Sequence, residues 1–158
     1  MLKAELWITG KTSFSYIDEG IEIYEKRLKH YLKFQIQLFP DIRNAKNMSP
    51  ELLKTKECEQ QLHKLEKDDF LILLDERGKN LTSVEFAGFM EKMLVQTQKR
   101  LVFVIGGAHG FSQAMYDRAQ MQLSLSKMTF SHQMIRLFFV EQLYRAMTIV
   151  KGESYHNE

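Results

Sequence analysis

The sequence predicts an α/β fold: a mainly parallel sheet of five to six strands with helices on both faces. Three observations predict it. Strand-like and helical segments alternate along the chain. Two runs, "FLILL" at 70–74 and "LVFVI" at 101–105, are apolar at every position, as strands covered on both faces are. No repeat, low-complexity segment or linker divides the 158 residues, so a single domain over 1–158 with a real core is expected.

The elements follow in order. Residues 3–8 (KAELWI) form a short strand. Ile17, Ile21, Tyr24, Leu28 and Tyr31 make one helical stripe, which predicts a helix over 15–31. Phe34, Ile36 and Leu38 alternate with Gln35 and Gln37, a half-buried strand ended by Pro40. Ser49-Pro50-Glu51 starts a helix running to about Leu65. After "FLILL", "DERGKN" is expected as a loop. Thr82-Ser83-Val84-Glu85 fits a capping box, with Phe86, Phe89, Met90, Met93 and Leu94 as the face of a third helix. "LVFVI" ends in Gly106-Gly107, and Ser112 caps a short helix over Met115, Tyr116 and Ala119. "LSLSKMTFSH" (123–132) opens like a strand and leads into a last helix, about 132–150. Ile135, Phe139, Gln142, Leu143 and Ala146 are its expected buried side. The polar end "ESYHNE" is expected to fray, although Tyr155 and His156 are suited to recognition or proton transfer.

Composition excludes several classes. The chain is 44% hydrophobic and 27% charged, with one cysteine, Cys58. No internal disulfide can form, which permits a reducing, cytoplasmic location. No signal-peptide run or membrane-spanning run is present. Net charge is +2: residues 1–98 hold 15 Lys+Arg against 16 Asp+Glu, and residues 99–158 hold 7 against 4. The mild basic bias of the last third fits scattered solvated charge as well as a nucleic-acid surface. The five histidines show no metal-ligand spacing, so no metal is expected.

Local motifs leave alternatives open. "TGKTS" (9–13) resembles the end of a phosphate-binding loop, but Glu5 stands where that motif needs glycine. No GxGxxG follows the first strand and no GxSxG occurs. "IGGAHGFS" (105–112) fits either a tight turn or a backbone surface approached by a ligand. "LLDERGK" (73–79) fits either a solvated loop or a strand end that hydrogen-bonds a heterocycle. His132/Arg136 and Glu141/Arg145 are each four apart on the last helix, consistent with capping, surface ion pairs or a dimer contact.

Taken together, "LLDERGK", "FVIGGAHGFS", "LSLSKMTFSHQMIRLFFVEQLYRA" and "GESYH", with "YEKRLKHY" earlier, resemble one family along essentially the whole chain. It is the RlmH-type ribosomal RNA large-subunit methyltransferases of the SPOUT superfamily. The resemblance implies a C-terminal trefoil knot and S-adenosyl-L-methionine as cofactor. It implies methylation at N3 of a pseudouridine in 23S rRNA within the assembled 70S ribosome. It implies a homodimer in which one subunit's tail and last helix help the other's site, with Phe138 or Phe139 at the contact. By motif match the cofactor is held by Leu74, Gly106, Leu125, Ser126, Lys127, Met128, Thr129 and Phe130. His132, Arg136, Tyr155 and His156 are the implied catalytic group, with Arg136 and Arg145 as phosphate contacts or ion-pair members. Ser131 stands where many relatives have proline, and a serine is a good helix cap. Asn157-Glu158 adds acid where relatives often end in a base. A non-catalytic ribosome-assembly or RNA-binding factor on the same fold is the competing reading. It predicts ribosome binding without cofactor binding. A knotted enzyme acting on tRNA would need an RNA-binding domain for which this chain has no room.

Overall fold

Alternating strands and helices close into one parallel sheet in the computed structural model, which describes every residue except Thr97 and Glu158. The terminal acid at Glu158 therefore lies outside the described residues. The strands are β1 (Lys3–Thr9), β2 (Lys33–Phe39), β3 (Asp69–Asn80), β4 (Arg100–Ile105) and β5 (Met121–Ser124). The helices are α1 (Ser15–Leu28), α2 (Pro50–Lys64), α3 (Ser83–Val95), α4 (Gln113–Arg118) and α5 (His132–Val150). The sheet order is β2-β1-β4-β3-β5, and every neighbouring pair is parallel.

Side-chain alternation along the strands builds two cores. Ala4, Leu6, Ile8, Ile72, Leu101, Phe103 and Ile105 face α1, α3 and α5. Trp7, Leu71, Leu73, Val102 and Val104 face α2 and α4, against Cys58 and Met115. The central strands are covered on both sides because both registers are apolar. Helix starts are fixed locally. Ser49, Ser112 and Ser131 each accept a hydrogen bond from a backbone N–H of the first turn, and Thr82 with Glu85 completes a capping box.

Several expectations need correction. The "DERGKN" segment is not a free loop: β3 continues through it to Asn80 and pairs with β5 twice, with a register shift between Leu74 and Lys79. Asp75 through Gly78 bulge out of the ladder. A Cβ at Gly78 would lie 2.7 Å from the Leu123 backbone nitrogen, so only glycine lets the two strands rejoin. α1 stops at Leu28, three residues short, and two tight backbone turns carry His30 and Tyr31. In β2 the burial inverts at its end. Leu38 is 42% exposed, whereas Phe39 is buried with its ring centroid 5.1 Å from that of Trp7. Leu94 is exposed, and Ile135 and Gln142 are only half-buried. The tail does not fray, as described below.

Gly88, in the middle of α3, faces open space: a Cβ added there would meet nothing within 4 Å. Gly88→Ala is expected to raise stability by about 0.5–1 kcal/mol in urea unfolding, because alanine loses less backbone entropy on forming helix.

Candidate functional site

The carboxyl ends of β3, β4 and β5 meet at one place and enclose a cavity of ≈ 580 Å³. This is the end of a parallel sheet where ligands bind, and the volume suits a nucleoside-sized molecule. Three segments wall it, each shaped by its own residues.

The β3 bulge supplies Leu74, Asp75, Glu76 and Arg77. Asp75 accepts from the Arg77 backbone N–H at 3.1 Å and from the Tyr116 hydroxyl. Partial burial and the Asp75 carboxylate push the Tyr116 phenol up to about 12, so it stays a proton donor at neutral pH and fixes the carboxylate. The β4–α4 turn supplies Gly106 through Phe111. A Cβ at Gly106 would sit 3.0 Å from the Phe111 ring, and one at Gly107 would meet the Glu57 carboxylate at 2.7 Å. The packed Phe111 ring leaves little room for a side chain at Gly106, whereas at Gly107 the end of the flexible Glu57 side chain would have to shift; the backbone of both forms part of the cavity wall. Burial, and then Asp41, push the Glu57 carboxyl above its ordinary range, with His109 opposing.

The third wall is the β5–α5 loop, whose hydroxyls have separate tasks. Ser124 Oγ donates to the Ser126 carbonyl at 2.8 Å, and Ser126 Oγ accepts from the Met128 N–H at 2.9 Å. Thr129 donates to Glu76 at 3.1 Å, tying this loop to the β3 bulge. Ser131 caps α5 by accepting from Met134 N–H at 3.1 Å. These bonds keep an irregular backbone in one shape, which leaves Leu125, Met128 and Phe130 to furnish apolar surface. Met128 is 76% exposed.

Of the eight expected cofactor residues, all but Lys127 line this cavity. Of the four expected catalytic residues, only His132 does. Arg136, one residue beyond the lining Ile135, is buried elsewhere: it donates to Thr12 Oγ1 at 3.1 Å and to the Thr9 carbonyl at 2.9 Å. Tyr155 and His156 lie at the other end of α5. The Tyr155 hydroxyl is 3.3 Å from that of Tyr24 and donates to Glu141 at 3.4 Å. His156 Nδ1 lies 3.0 Å from Arg145, which also pairs with Glu141 at 2.7 Å. Tyr31 donates to Glu153 at 2.8 Å. The tail is thus clamped onto α1 and α5. Thirteen residues of helix separate His132 from Arg145, about 20 Å at 1.5 Å per residue. One chain does not bring its own tail to its own cavity.

Sequence reasoning did not single out Tyr116, Asp75 or His109 as site residues, though all three line the cavity. Tyr116 stands four residues after the helix cap Ser112, a spacing that turns it toward the preceding loop. Among the described residues no group of three or more His, Cys, Asp or Glu is placed to hold a metal ion, and no helix is long and apolar enough to cross a membrane.

Comparison with known proteins adds to this geometry. Residues 2–156 match a family model described as "Predicted SPOUT methyltransferase". A Parabacteroides distasonis protein named "Ribosomal RNA large subunit methyltransferase H" is 52% identical over 157 residues, covering 99% of this chain and 100% of its own length. A Bacteroides fragilis protein of the same name is 50% identical with the same coverage. In fold, the chain is similar to a probable methyltransferase from Bordetella pertussis Tohama I (TM-score 0.52, 15% identity, 92% of this chain and 95% of that one). It is also similar to a probable methylase family protein from Haemophilus influenzae Rd KW20 (TM-score 0.51, 12% identity, 99% and 70%).

Proposed function

This chain belongs to the SPOUT methyltransferase family, as one of its ribosomal RNA large-subunit methyltransferases, and on that premise we propose that it methylates N3 of a pseudouridine in 23S rRNA, using S-adenosyl-L-methionine and acting on the assembled 70S ribosome in the cytoplasm. The observation that carries this reading is the cavity itself. Leu74, Leu125, Met128 and Phe130 offer apolar faces for adenine, the Gly106–Gly107 backbone offers close approach, and Asp75 and His109 supply polar edges. The residues present fit the cofactor, which when bound supplies a methyl group on a sulfonium.

The chain's own residues do the rest. The three loops orient and exclude water. His132, at the cavity and on the first turn of α5, is placed to orient the target base or accept its imide proton. Arg136, one helical turn on, faces Thr9 and Thr12 instead. Tyr155 and His156 are too far along α5 to serve the same chain's cavity. They enter a site through a homodimer, the tail and last helix of one copy completing the cavity of the other. Phe130 and Phe138, partly exposed with ring centroids 4.6 Å apart, are the apolar surface such a dimer covers. The 1–158 chain is then a single domain with its three loops gathered at a trefoil knot, and no metal takes part.

The test is methyl transfer from labelled S-adenosylmethionine to 70S ribosomes lacking the modification, to free 23S rRNA and to bulk tRNA, with the product nucleoside mapped by mass spectrometry. Label at a 23S pseudouridine, strongest on whole ribosomes, is expected. Cofactor binding without label on any acceptor would move the substrate elsewhere, and ribosome binding without cofactor binding would make the chain an assembly factor. Deleting residues 154–158 is expected to leave calorimetric cofactor affinity unchanged and to lower turnover at least about tenfold, a barrier increase near 1.4 kcal/mol. Undiminished turnover would remove Tyr155 and His156 from the site.

A further inference from the structure

Arg136 is the least compensated charge in the interior. It is 3% exposed, yet no carboxylate lies within ion-pair distance among the described residues. Its five N–H donors have two partners, Thr12 and Thr9, and Nε is buried with none. Burial depresses the guanidinium's proton affinity, opposed only by the more distant Asp41. A desolvated cation left this way is costly unless an anion arrives to use it.

The surroundings say where such an anion would come from. Arg136 lines a second cavity, ≈ 690 Å³, between α1 and the edge strand β2. Ile8, Ile36 and the exposed Leu38 line it with apolar surface, and Lys11, Thr12 and Lys29 with polar groups. Asp18, Glu22 and Glu25 also border it, on α1, and Lys26 there is already paired with Glu22 at 3.1 Å. Gln133 anchors the Lys11–Ser13 segment to α5, accepting from Ser13 N–H at 2.7 Å and donating to the Lys11 carbonyl at 3.3 Å. The first turns of α5 thus put His132 and Ile135 in the cofactor-type cavity and Arg136 in this groove.

We propose that the groove seats a backbone phosphate of the RNA strand carrying the target base, held by Arg136 and Lys11, so that the base itself enters the neighbouring cavity; this rests on the RNA-methyltransferase reading above. Phosphate contacts of this kind fix register without reading sequence.

The test follows the Arg136 Nε–H resonance by NMR in the full chain, titrated with inorganic phosphate and with a single-stranded oligoribonucleotide. The resonance is expected to shift with both, and in Arg136→Lys that signal is absent by construction, which secures the assignment. Lys11 is exposed, so Lys11→Ala folds; it is expected to weaken oligoribonucleotide binding while cofactor affinity holds. It should also flatten the dependence of log K on log salt by about 0.7, the loss of one single-strand phosphate contact. An unmoved resonance, or an unchanged salt slope in Lys11→Ala, would overturn the proposal even if methyl transfer proceeds. A resonance that instead moves with protein concentration would assign Arg136 to a second copy of the chain and also overturn it. RNA binding at Arg136 with no cofactor binding would sustain the groove and sink the enzyme reading.

Discussion

Gly106→Val is expected to lower the affinity for S-adenosylmethionine at least about a hundredfold, near 2.8 kcal/mol, while the chain remains folded. The cause is local. The first carbon of any side chain at Gly106 would sit 3.0–3.3 Å from three atoms of the Phe111 ring. That ring is buried in the α2/α4-side core and also lines the cavity, so it has little room to retreat. Valine's branches would displace either the ring or the loop, and both form the ligand's wall. Calorimetry with the cofactor, set beside a circular-dichroism melt, separates lost binding from lost fold. Wild-type affinity in the variant would show that the β4–α4 turn does not approach the ligand. Gly88→Ala, in an open part of α3, is the matching control.

Asp69→Ala is expected to cost about 3–5 kcal/mol in urea unfolding. Asp69 is the first residue of β3 and its side chain is fully covered. Its carboxylate accepts from Arg100 Nε at 2.8 Å, Arg100 Nη2 at 2.9 Å and the Glu66 backbone N–H at 2.7 Å. Arg100 in turn donates to Glu5 at 2.9 Å, and Glu5 accepts from the Trp7 indole at 2.9 Å. Alanine would leave the Glu66 N–H without its carboxylate partner and the guanidinium half-compensated. The network joins the amino-terminal halves of β1, β3 and β4, the end of the sheet opposite the cavity. Cofactor affinity is therefore expected to persist wherever the variant is still folded. A loss under about 1 kcal/mol would mean that water takes over these bonds, as at an exposed pair.

Much of the fold was legible because its signals are local. The apolar runs 70–74 of β3 and 101–105 of β4, the stripe on α1, and the caps at Ser49, Thr82, Ser112 and Ser131 all depend on residues within one turn or one strand. The errors came where a distant segment overrides local preference. "DERGKN" has turn chemistry, but pairing with β5 draws it back into β3. Leu38 continues the alternation but lies in the open groove beside α1, while Phe39, on the opposite face, packs on Trp7. The tail has the composition of a frayed end, and it is held by Tyr24, Tyr31 and Arg145, residues that no sequence window around it contains.

The same division runs through the site. By itself the sequence determined the alternating α/β order, the two buried runs, the helix starts and, through four motifs read together, the family and seven of the residues that wall the cavity. Only the tertiary structure decided which of those residues share a space. It put His132 at the cavity and buried Arg136 against Thr9 and Thr12, with no carboxylate in ion-pair reach among the described residues. It set Tyr155 and His156 at the far end of a 19-residue helix. Motifs record which side chains are needed. Which of them meet depends on strand order and helix direction, and those are fixed by the packing of both faces of the sheet at once.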